Sequence, residues 1–225
     1  MKPNLTLLLI LSCLALASCA KKAEQTASTS TPPPATQQQA APAPAPAPEP
    51  SQDDSERAKK QALLDYATME DTYINDSHAQ WASSAKASST FGDDNGRTPS
   101  EGSMPANVVG PVDGKTWTNN HQDVGFDWLE AGFTKPVTAT EVRVVFYSGE
   151  GVEAVSKLEL ADEQGHWTTV WSGLSATKRD QRGGRTWLVQ KFDKTAFKAT
   201  AVKVTIANNV QQGYKVIDAV QLVGE

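Results

Sequence analysis

Cysteine and histidine are scarce in this chain of 225 residues, which has two of the former and three of the latter. Cys13 and Cys19 both lie near the N-terminus, so the rest of the chain can form no disulfide, thiolate metal site or cysteine nucleophile. His78, His121 and His166 lack the short spacing of a zinc site. The sequence also lacks the G-x-S-x-G motif, the phosphate-binding loop and the dinucleotide-binding fingerprint. We therefore expect a protein that is not an enzyme.

Positive charge and long apolar runs are also in short supply. The formal net charge is −5 and the sequence pI is about 5.3. Nucleic-acid binding requires a basic surface, so we expect no nucleic-acid partner. The most apolar stretch, LTLLLILSCLALA, follows Lys2 and is too short to cross a bilayer comfortably. This pattern is typical of an export signal.

The signal ends in LASC, residues 16–19, which resembles the lipobox of bacterial lipoproteins. The resemblance implies that residues 1–18 are a signal peptide and that Cys19 becomes the lipidated first residue, bearing palmitate. Several acyl chains together make a stable membrane anchor. Ala20, rather than aspartate, follows the cysteine, and in Gram-negative lipoproteins this implies sorting to the outer membrane. The sequence does not decide between the periplasmic and the outer face of that membrane. The alternative is an ordinary signal with a cysteine beside its cleavage site.

A proline-rich segment separates this signal from the rest of the chain. Residues 31–50 read TPPPATQQQAAPAPAPAPEP, with almost no apolar side chain larger than alanine. Proline removes backbone donors and favours polyproline II, so such a segment cannot form a core. We predict that residues 19–54 are a disordered linker spanning about 30–100 Å. Beyond it, Ala62, Leu63, Tyr66 and Met69 are near helical spacing, which predicts a short helix over residues 55–70.

The C-terminal part of the chain has the composition of β-strands. Runs rich in valine, isoleucine, threonine and aromatics alternate with turn residues, and no helical period of ten residues intrudes. We predict an all-β domain over residues 71–225, an antiparallel eight-stranded jelly-roll sandwich large enough to fold alone. The predicted strands cover residues 80–90, 126–133, 141–147, 156–161, 167–171, 186–192, 201–206 and 215–223.

Three segments of this domain resemble successive strands of discoidin-type, galactose-binding-like domains. They are DWLEAGFTKPVTATEVRVVF, VSKLELADEQGHWTTVWSG, and VKVTI followed by VIDAVQLVG, and the resemblance spans about residues 80–225. It implies a galactose-binding-like fold and a binding function, because family members bind sugars, lipid head groups or proteins. It also implies one possible structural calcium between the first long loop and the last strand, at Asp113 and Asp218. The first loop, GPVDGKTWTNN, departs from the sugar-binding pattern after its tryptophan.

The predicted topology places the long loops together. In an antiparallel sandwich, loops after odd-numbered strands meet at one end, and here these are residues 91–125, 148–155, 172–185 and 207–214. Long loops on a rigid scaffold commonly carry binding residues. Aromatic rings, amides and guanidinium groups suit a hydroxyl-rich or anionic ligand. The predicted ligand-binding residues are Trp117, Asn119, Asn120, His121, Tyr147, Arg179, Arg182, Arg185, Asn208, Gln211 and Tyr214.

The other tryptophans are predicted to be structural. We expect Trp128 and Trp167 to pack in the core, with Trp171 on the same face as Trp167. Trp81 and Trp187 are predicted to be structural as well.

These observations favour a lipid-anchored module of the cell envelope that recognises carbohydrate or an envelope polymer. The alternative is a protein-interaction or adhesion module of an envelope complex, with no sugar ligand.

Overall fold

A computed structural model describes residues 51–94 and 97–225. The predicted signal peptide, Cys19 and most of the predicted linker lie outside the described residues. The part of the chain that is described forms one α-helix, α1 (Gln52–Ile74), three short 3-10 helices and nine β-strands. The strands are β1 (Ala79–Trp81), β2 (Ser84–Ala87), β3 (Trp117–Thr118), β4 (Phe126–Tyr147), β5 (Val155–Ala161), β6 (Trp167–Ser172), β7 (Arg185–Lys191), β8 (Lys198–Ala207) and β9 (Val216–Gly224).

The strands form a two-layer antiparallel sandwich, as predicted. One sheet contains β1, β3, β7, β9 and the second half of β4. The other contains β2, β5, β6, β8 and the first half of β4. Strand β4 belongs to both sheets because its register shifts between Gly132 and Val137, where the chain crosses from one layer to the other. The two predicted strands at 126–133 and 141–147 are therefore one continuous strand.

The predicted first strand, residues 80–90, is instead two short strands in different layers. β1 pairs with β9 and β2 pairs with β4, so the chain changes sheet between Trp81 and Ser84. The core between the layers is apolar and sealed, with Leu129, Phe146 and Ile217 fully buried. Burial of this kind is the main source of stability for a domain that has no disulfide.

Helix α1 is longer at both ends than the predicted 55–70. Ser51 caps it, since its Oγ accepts from the backbone N of Asp54 at 3.2 Å, and acidic residues in the first turn favour the helix dipole. Only Tyr66 is buried. Together with Met69 and Tyr73 it forms the face turned towards the outer surface of the first sheet. Within the described residues, no helix has the length and apolarity needed to cross a bilayer.

A second, smaller apolar cluster lies under this helix. Trp187, Val145 and Tyr73 pack there, and the rings of Tyr73 and Trp187 are 5.2 Å apart. Trp81 packs against the same cluster, with its ring 6.3 Å from that of Trp187. The prediction that Trp81 and Trp187 are structural is confirmed.

Two other tryptophans were expected in the core but lie on the outer face of the second sheet. Trp128 and Trp167 are half-buried, and the Nζ of Lys203 lies 5.6 Å and 3.9 Å from their ring centroids. In β4 the inward positions are those of Leu129 and Ala131, so strand alternation turns Trp128 outwards. Trp171 does pack against the core, because a register shift in the β5–β6 pairing separates it from the face of Trp167.

Candidate functional site

The long loops do meet at one end of the sandwich. The side chain of Gln211, in the β8–β9 loop, bridges to the β4–β5 loop: its Oε1 accepts from the backbone N atoms of Gly151 and Glu153, at 3.1 and 3.0 Å. Its Nε2 donates to the carbonyl O of Gly149 at 3.2 Å. Gln211 therefore fixes two loops to each other, and its amide is already occupied within the protein.

A buried carboxylate organises the other half of this end. The Asp127 side chain is fully buried and accepts hydrogen bonds from Ser88, Ser89, Asn119 and Asn208 at 2.7–3.0 Å. Burial alone would raise the pKa of the Asp127 carboxyl, but the hydrogen bonds from Ser88, Asn119, Ser89 and Asn208 outweigh it and lower the pKa to about 2. The carboxylate thus stays ionised and holds together segments that are far apart in the sequence.

Asn119, Asn208 and Trp117 were predicted as ligand contacts, and the structure corrects all three. Each is fully buried. The side-chain amides of Asn119 and Asn208 donate to the Asp127 carboxylate, and the Nε1 of Trp117 donates to the carbonyl O of Ser89 at 2.9 Å. Trp117 is a core residue because the two-residue strand β3 pairs it with Ile217 and turns its ring inwards. These residues shape the loop end without reaching its surface.

Asn120 is half-buried and braces the 91–94 turn. Its Oδ1 accepts from the backbone N of Gly92 at 3.2 Å, and its Nδ2 donates to Asp94 Oδ1 at 2.8 Å. In the β6–β7 loop, the guanidinium of Arg182 is exposed but donates twice to Asp180, at 3.0 and 2.8 Å. Both side chains have their polar atoms engaged by the protein itself.

Two small groups of predicted residues are at least partly exposed to solvent. In the first, the half-buried ring of Tyr214 meets that of Phe91 edge-on at 5.0 Å. His121, in the adjoining 119–125 segment, has a side chain that is 58 % exposed, and its Nδ1 lies 3.3 Å from Oδ1 of Asp127. In the second, Tyr147 is 49 % exposed beside the loop that carries Arg179. Phe91 was missed by sequence reasoning; the signal available was an aromatic residue directly before the GDD turn.

The second group includes a strained residue. Ser148 has φ +50°, a left-handed conformation unusual for a side-chain-bearing residue, and its Oγ accepts from the guanidinium of Arg179 at 2.7 Å. The stem of Arg179 packs closely over Gly149, where no side chain would fit without a clash. Arg179 forms no ion pair with a carboxylate among the described residues, unlike Arg182 and Arg185. It therefore presents a cation that is aligned but not neutralised.

Beneath these loops lies a buried lysine. The Lys215 side chain is fully buried, and its Nζ donates to the carbonyl O atoms of Gln122 and Gly213. Burial lowers its pKa, although Asp123 and Asp127 oppose that shift. The ammonium secures the 121–125 loop from below.

The two residues expected to bind calcium are close together, but their surroundings do not fit the ion. The backbone N of Asp113 donates to Oδ1 of Asp218 at 3.3 Å. Oδ2 of the buried Asp218 accepts from Nε of Arg185 at 2.8 Å, and the Asp113 carboxylate accepts from Lys115 Nζ at 2.7 Å. Calcium requires about six to eight oxygen ligands, and here protein cations occupy both carboxylates. Within the described residues there is also no cluster of three or more histidine, cysteine or acidic side chains suited to a metal.

No protein-family model matches the sequence, and a search of curated proteins gives no match. Several solved structures have a similar fold. One is chitosan-binding module 1 of a chitosanase/glucanase from Paenibacillus sp. IK-5, which has a TM-score of 0.48. It is 14 % identical to this chain, and the match covers 64 % of this chain and 96 % of that chain. A family 32 carbohydrate-binding module of Clostridium perfringens, in complex with galactose, is 16 % identical over 64 % and 98 % of the two chains, with a TM-score of 0.44. The C-terminal domain of a Bacteroides fragilis chitobiase is 14 % identical over 66 % and 95 %, with a TM-score of 0.46. Identities this low transfer no ligand to this chain.

Proposed function

We propose that this protein is a non-catalytic carbohydrate-binding module whose ligand contacts the long-loop end of the sandwich. The observation that carries the proposal is the set of exposed or half-exposed side chains at this end: the Phe91–Tyr214 pair, His121, which also contacts Asp127, and Tyr147 with Arg179. Aromatic rings stack on the C–H faces of sugars, and imidazole and guanidinium groups donate to hydroxyls or acidic groups. The uncompensated charge of Arg179 favours an acidic glycan.

A glycan array probed with the full chain tests the proposal. Tyr214→Ala and Arg179→Ala are expected to weaken binding to the glycans that the unchanged protein retains, while the free energy of unfolding falls by only about 1 kcal/mol, the loss typical of a single substitution. Lys86→Ala, on the outer face of the second sheet, is the matched control and should bind normally. Retention of no glycan by the unchanged protein would reject the assignment.

The second candidate is a protein-interaction or adhesion module. It is favoured by apolar side chains that project into solvent: Val124 is 77 % exposed, Phe126 68 % and Leu174 72 %. Where such side chains form one contiguous patch, they mark a surface at which proteins dock. If the protein-interaction function is correct, Phe126→Ser should abolish capture of an envelope protein. If the carbohydrate-binding function is correct, Phe126→Ser should leave glycan retention unchanged.

We propose further that the domain is tethered to the cell envelope through lipid on Cys19, at the outer membrane of a Gram-negative bacterium. The LASC motif supports this part of the proposal. Cys19→Ser should remove palmitate labelling and release the protein from membranes. A Cys19→Ser protein that still carries label and sediments with membranes contradicts it; Cys13→Ser is the matched control and should behave normally.

A further inference from the structure

Helix α1 ends before the sheet beneath it does. On the outer face of the first sheet, β4 presents Val145, Arg143 and Glu141 at alternate positions. The helix covers the first two: Tyr73 packs over Arg143, with its ring centroid 4.5 Å from Cζ. Because the helix stops at Ile74, the sheet at Glu141 is left uncovered. A depression of about 340 Å³ opens there, and its lining includes the C-terminal end of β9, which is the end away from the long β8–β9 loop.

The floor of this depression is a buried ion pair. Glu141 and Arg143 are 6 % and 5 % exposed, and Nε of Arg143 donates to Oε1 of Glu141. The same guanidinium donates to Asp76 Oδ2 at 2.7 Å and to Gln221 Oε1 at 3.2 Å. A buried ion pair is a weak contributor to stability, and apolar residues of similar volume commonly replace it at no loss. At the base of an open cavity, the pair places a carboxylate where a ligand can reach it.

One oxygen of Glu141 is not used by the fold. Oε2 accepts no hydrogen bond from the described residues, and Nζ of Lys191 lies 3.8 Å from it. Every fully buried side-chain oxygen among the described residues has a hydrogen-bond partner, so Oε2 retains some accessible surface. Lys191 is itself 79 % exposed, so it is free to move away. The largely buried carboxylate thus bonds to Arg143 through Oε1 and keeps at Oε2 an acceptor whose neighbour is an exposed lysine.

The acceptor at Oε2 indicates what would bind. Side chains of Asp76, Glu141 and Glu225 oppose those of Arg143 and Lys194 in the lining, and Lys191 beside Glu141 balances the count at three acidic groups against three basic ones, so a ligand cation would take the place of this lysine at Oε2. The volume is in the lower part of the range for small-molecule sites. We propose that this depression binds the primary ammonium group of a small molecule, which donates to Oε2 of Glu141. An amino sugar and an alkyl diamine both supply that group.

The test is an NMR titration of the full chain at neutral pH with glucosamine, putrescine and N-acetylglucosamine. Both amines share the ammonium; the acetylated sugar has the ring without the charge. Shifts of the amides of Thr140, Glu141 and His78 with at least one amine, and none with N-acetylglucosamine, are expected. Comparing glucosamine with putrescine identifies the amino sugar or the diamine as the better ligand. Equal shifts with the acetylated sugar, or no shift at these residues with either amine at millimolar concentration, overturn the proposal.

Two substitutions sharpen the test. Glu141→Gln keeps the shape but removes the charge, and is expected to weaken amine binding by about tenfold to a hundredfold. Lys191→Met removes the competing cation without touching the buried pair, and should tighten binding by about two- to fivefold. Lys86→Met is the matched control on the other sheet and should have no effect. If Glu141→Gln does not fold, Lys191→Met decides: unchanged or weaker amine binding in that variant contradicts the role given to Glu141.

Discussion

The guanidinium Nε of Arg185 lies 2.8 Å from Oδ2 of the buried Asp218, at the place where the resemblance to galactose-binding-like domains implied a calcium ion. The other side of this guanidinium faces helix α1, with NH1 3.9 Å from Oε1 of Glu70. The same Glu70 oxygen accepts from Trp187 Nε1 at 3.1 Å. A side chain from β7 therefore joins the last strand to the helix, and it supplies the positive charge that Asp218 needs.

This relationship predicts that stability depends on Arg185 and not on calcium. Arg185→Met leaves a buried carboxylate without its partner, and should lower the free energy of unfolding by about 3–5 kcal/mol. The melting temperature of the unchanged protein should be the same in millimolar calcium and in chelator. Arg182→Met, whose partner Asp180 lies in the same exposed loop, is the control and should cost less than about 1 kcal/mol. A calcium-dependent rise of roughly 5 °C or more would show that the metal is bound after all.

Asp127 predicts how stability responds to acid. Its folded pKa of about 2 lies below the ordinary value of 3.8, so the folded state holds the ionised form more strongly than the unfolded state does. The resulting stabilisation, on the order of 2 kcal/mol, is fully present above about pH 4 and is lost as the pH falls towards 2. Urea unfolding across this range measures it. Asp127→Asn should flatten that part of the profile, and an equally steep acid loss in the variant would assign it to other groups.

Strand β4 shows how far the sequence predicts which residues face the core. Alternation in DWLEAGF separates Trp128 and Glu130 from Leu129 and Ala131, which is the observed division. Alternation does not say which face is inside, and resemblance to a known strand motif favoured the wrong one for Trp128. The prediction that Trp117 contacts ligand was wrong for a different reason. Strand β3 has only two residues, too few to show an alternating pattern. Pairing with β9, far away in the sequence, is what buries it.

The loop end shows the same limit for polar residues. Sequence reasoning correctly placed the long loops together because strand direction alone determines that. It could not separate Asn119 and Asn208, which are fully buried and donate to Asp127, from His121, which contacts the same carboxylate through Nδ1 but keeps 58 % of its side chain exposed. In the sequence, an asparagine that bonds to a buried carboxylate looks the same as one that is exposed for ligand binding. Only the three-dimensional position of the carboxylate distinguishes the two roles.

Trp117 was predicted at the ligand site but lies in the core, whereas Trp128 was predicted in the core but lies on an outer face. Substituting each of them gives a direct stability test. Trp117→Ala removes a fully buried ring and should cost about 3–5 kcal/mol. Trp128→Ala removes a half-buried ring whose main partner is the ammonium of Lys203, and should cost about 1 kcal/mol. Chemical denaturation of both variants gives the comparison. A larger loss for Trp128→Ala than for Trp117→Ala is incompatible with the fold described above.

The contact between helix α1 and the β6–β7 loop can be tested with two adjacent glycines. A Cβ added at Gly183 would lie 2.2 Å from the ring of Tyr66, whereas one at Gly184 would meet nothing within 4 Å. Tyr66 is anchored, since its hydroxyl oxygen lies 2.9 Å from Oε1 of Glu70 and 2.9 Å from the carbonyl O of Arg185, and its one proton is shared between these two acceptors. The ring cannot move aside without breaking these bonds, so Gly183→Ala should push the helix away from the sheet. We expect a loss of about 1–3 kcal/mol from the overpacked contact.

Gly184→Ala is the matched control for that substitution. It has the same chemistry one residue away, in open space, and its backbone does not adopt the left-handed conformation that favours glycine. It should leave stability unchanged or raise it by about 0.4–1 kcal/mol, because alanine restricts the unfolded chain. Thermal unfolding measures both variants, and hydrogen exchange at residues 62–70 reports whether the helix has loosened. Equal melting temperatures for the two alanine variants, with unchanged exchange in the helix, would mean that α1 does not pack against this loop in solution.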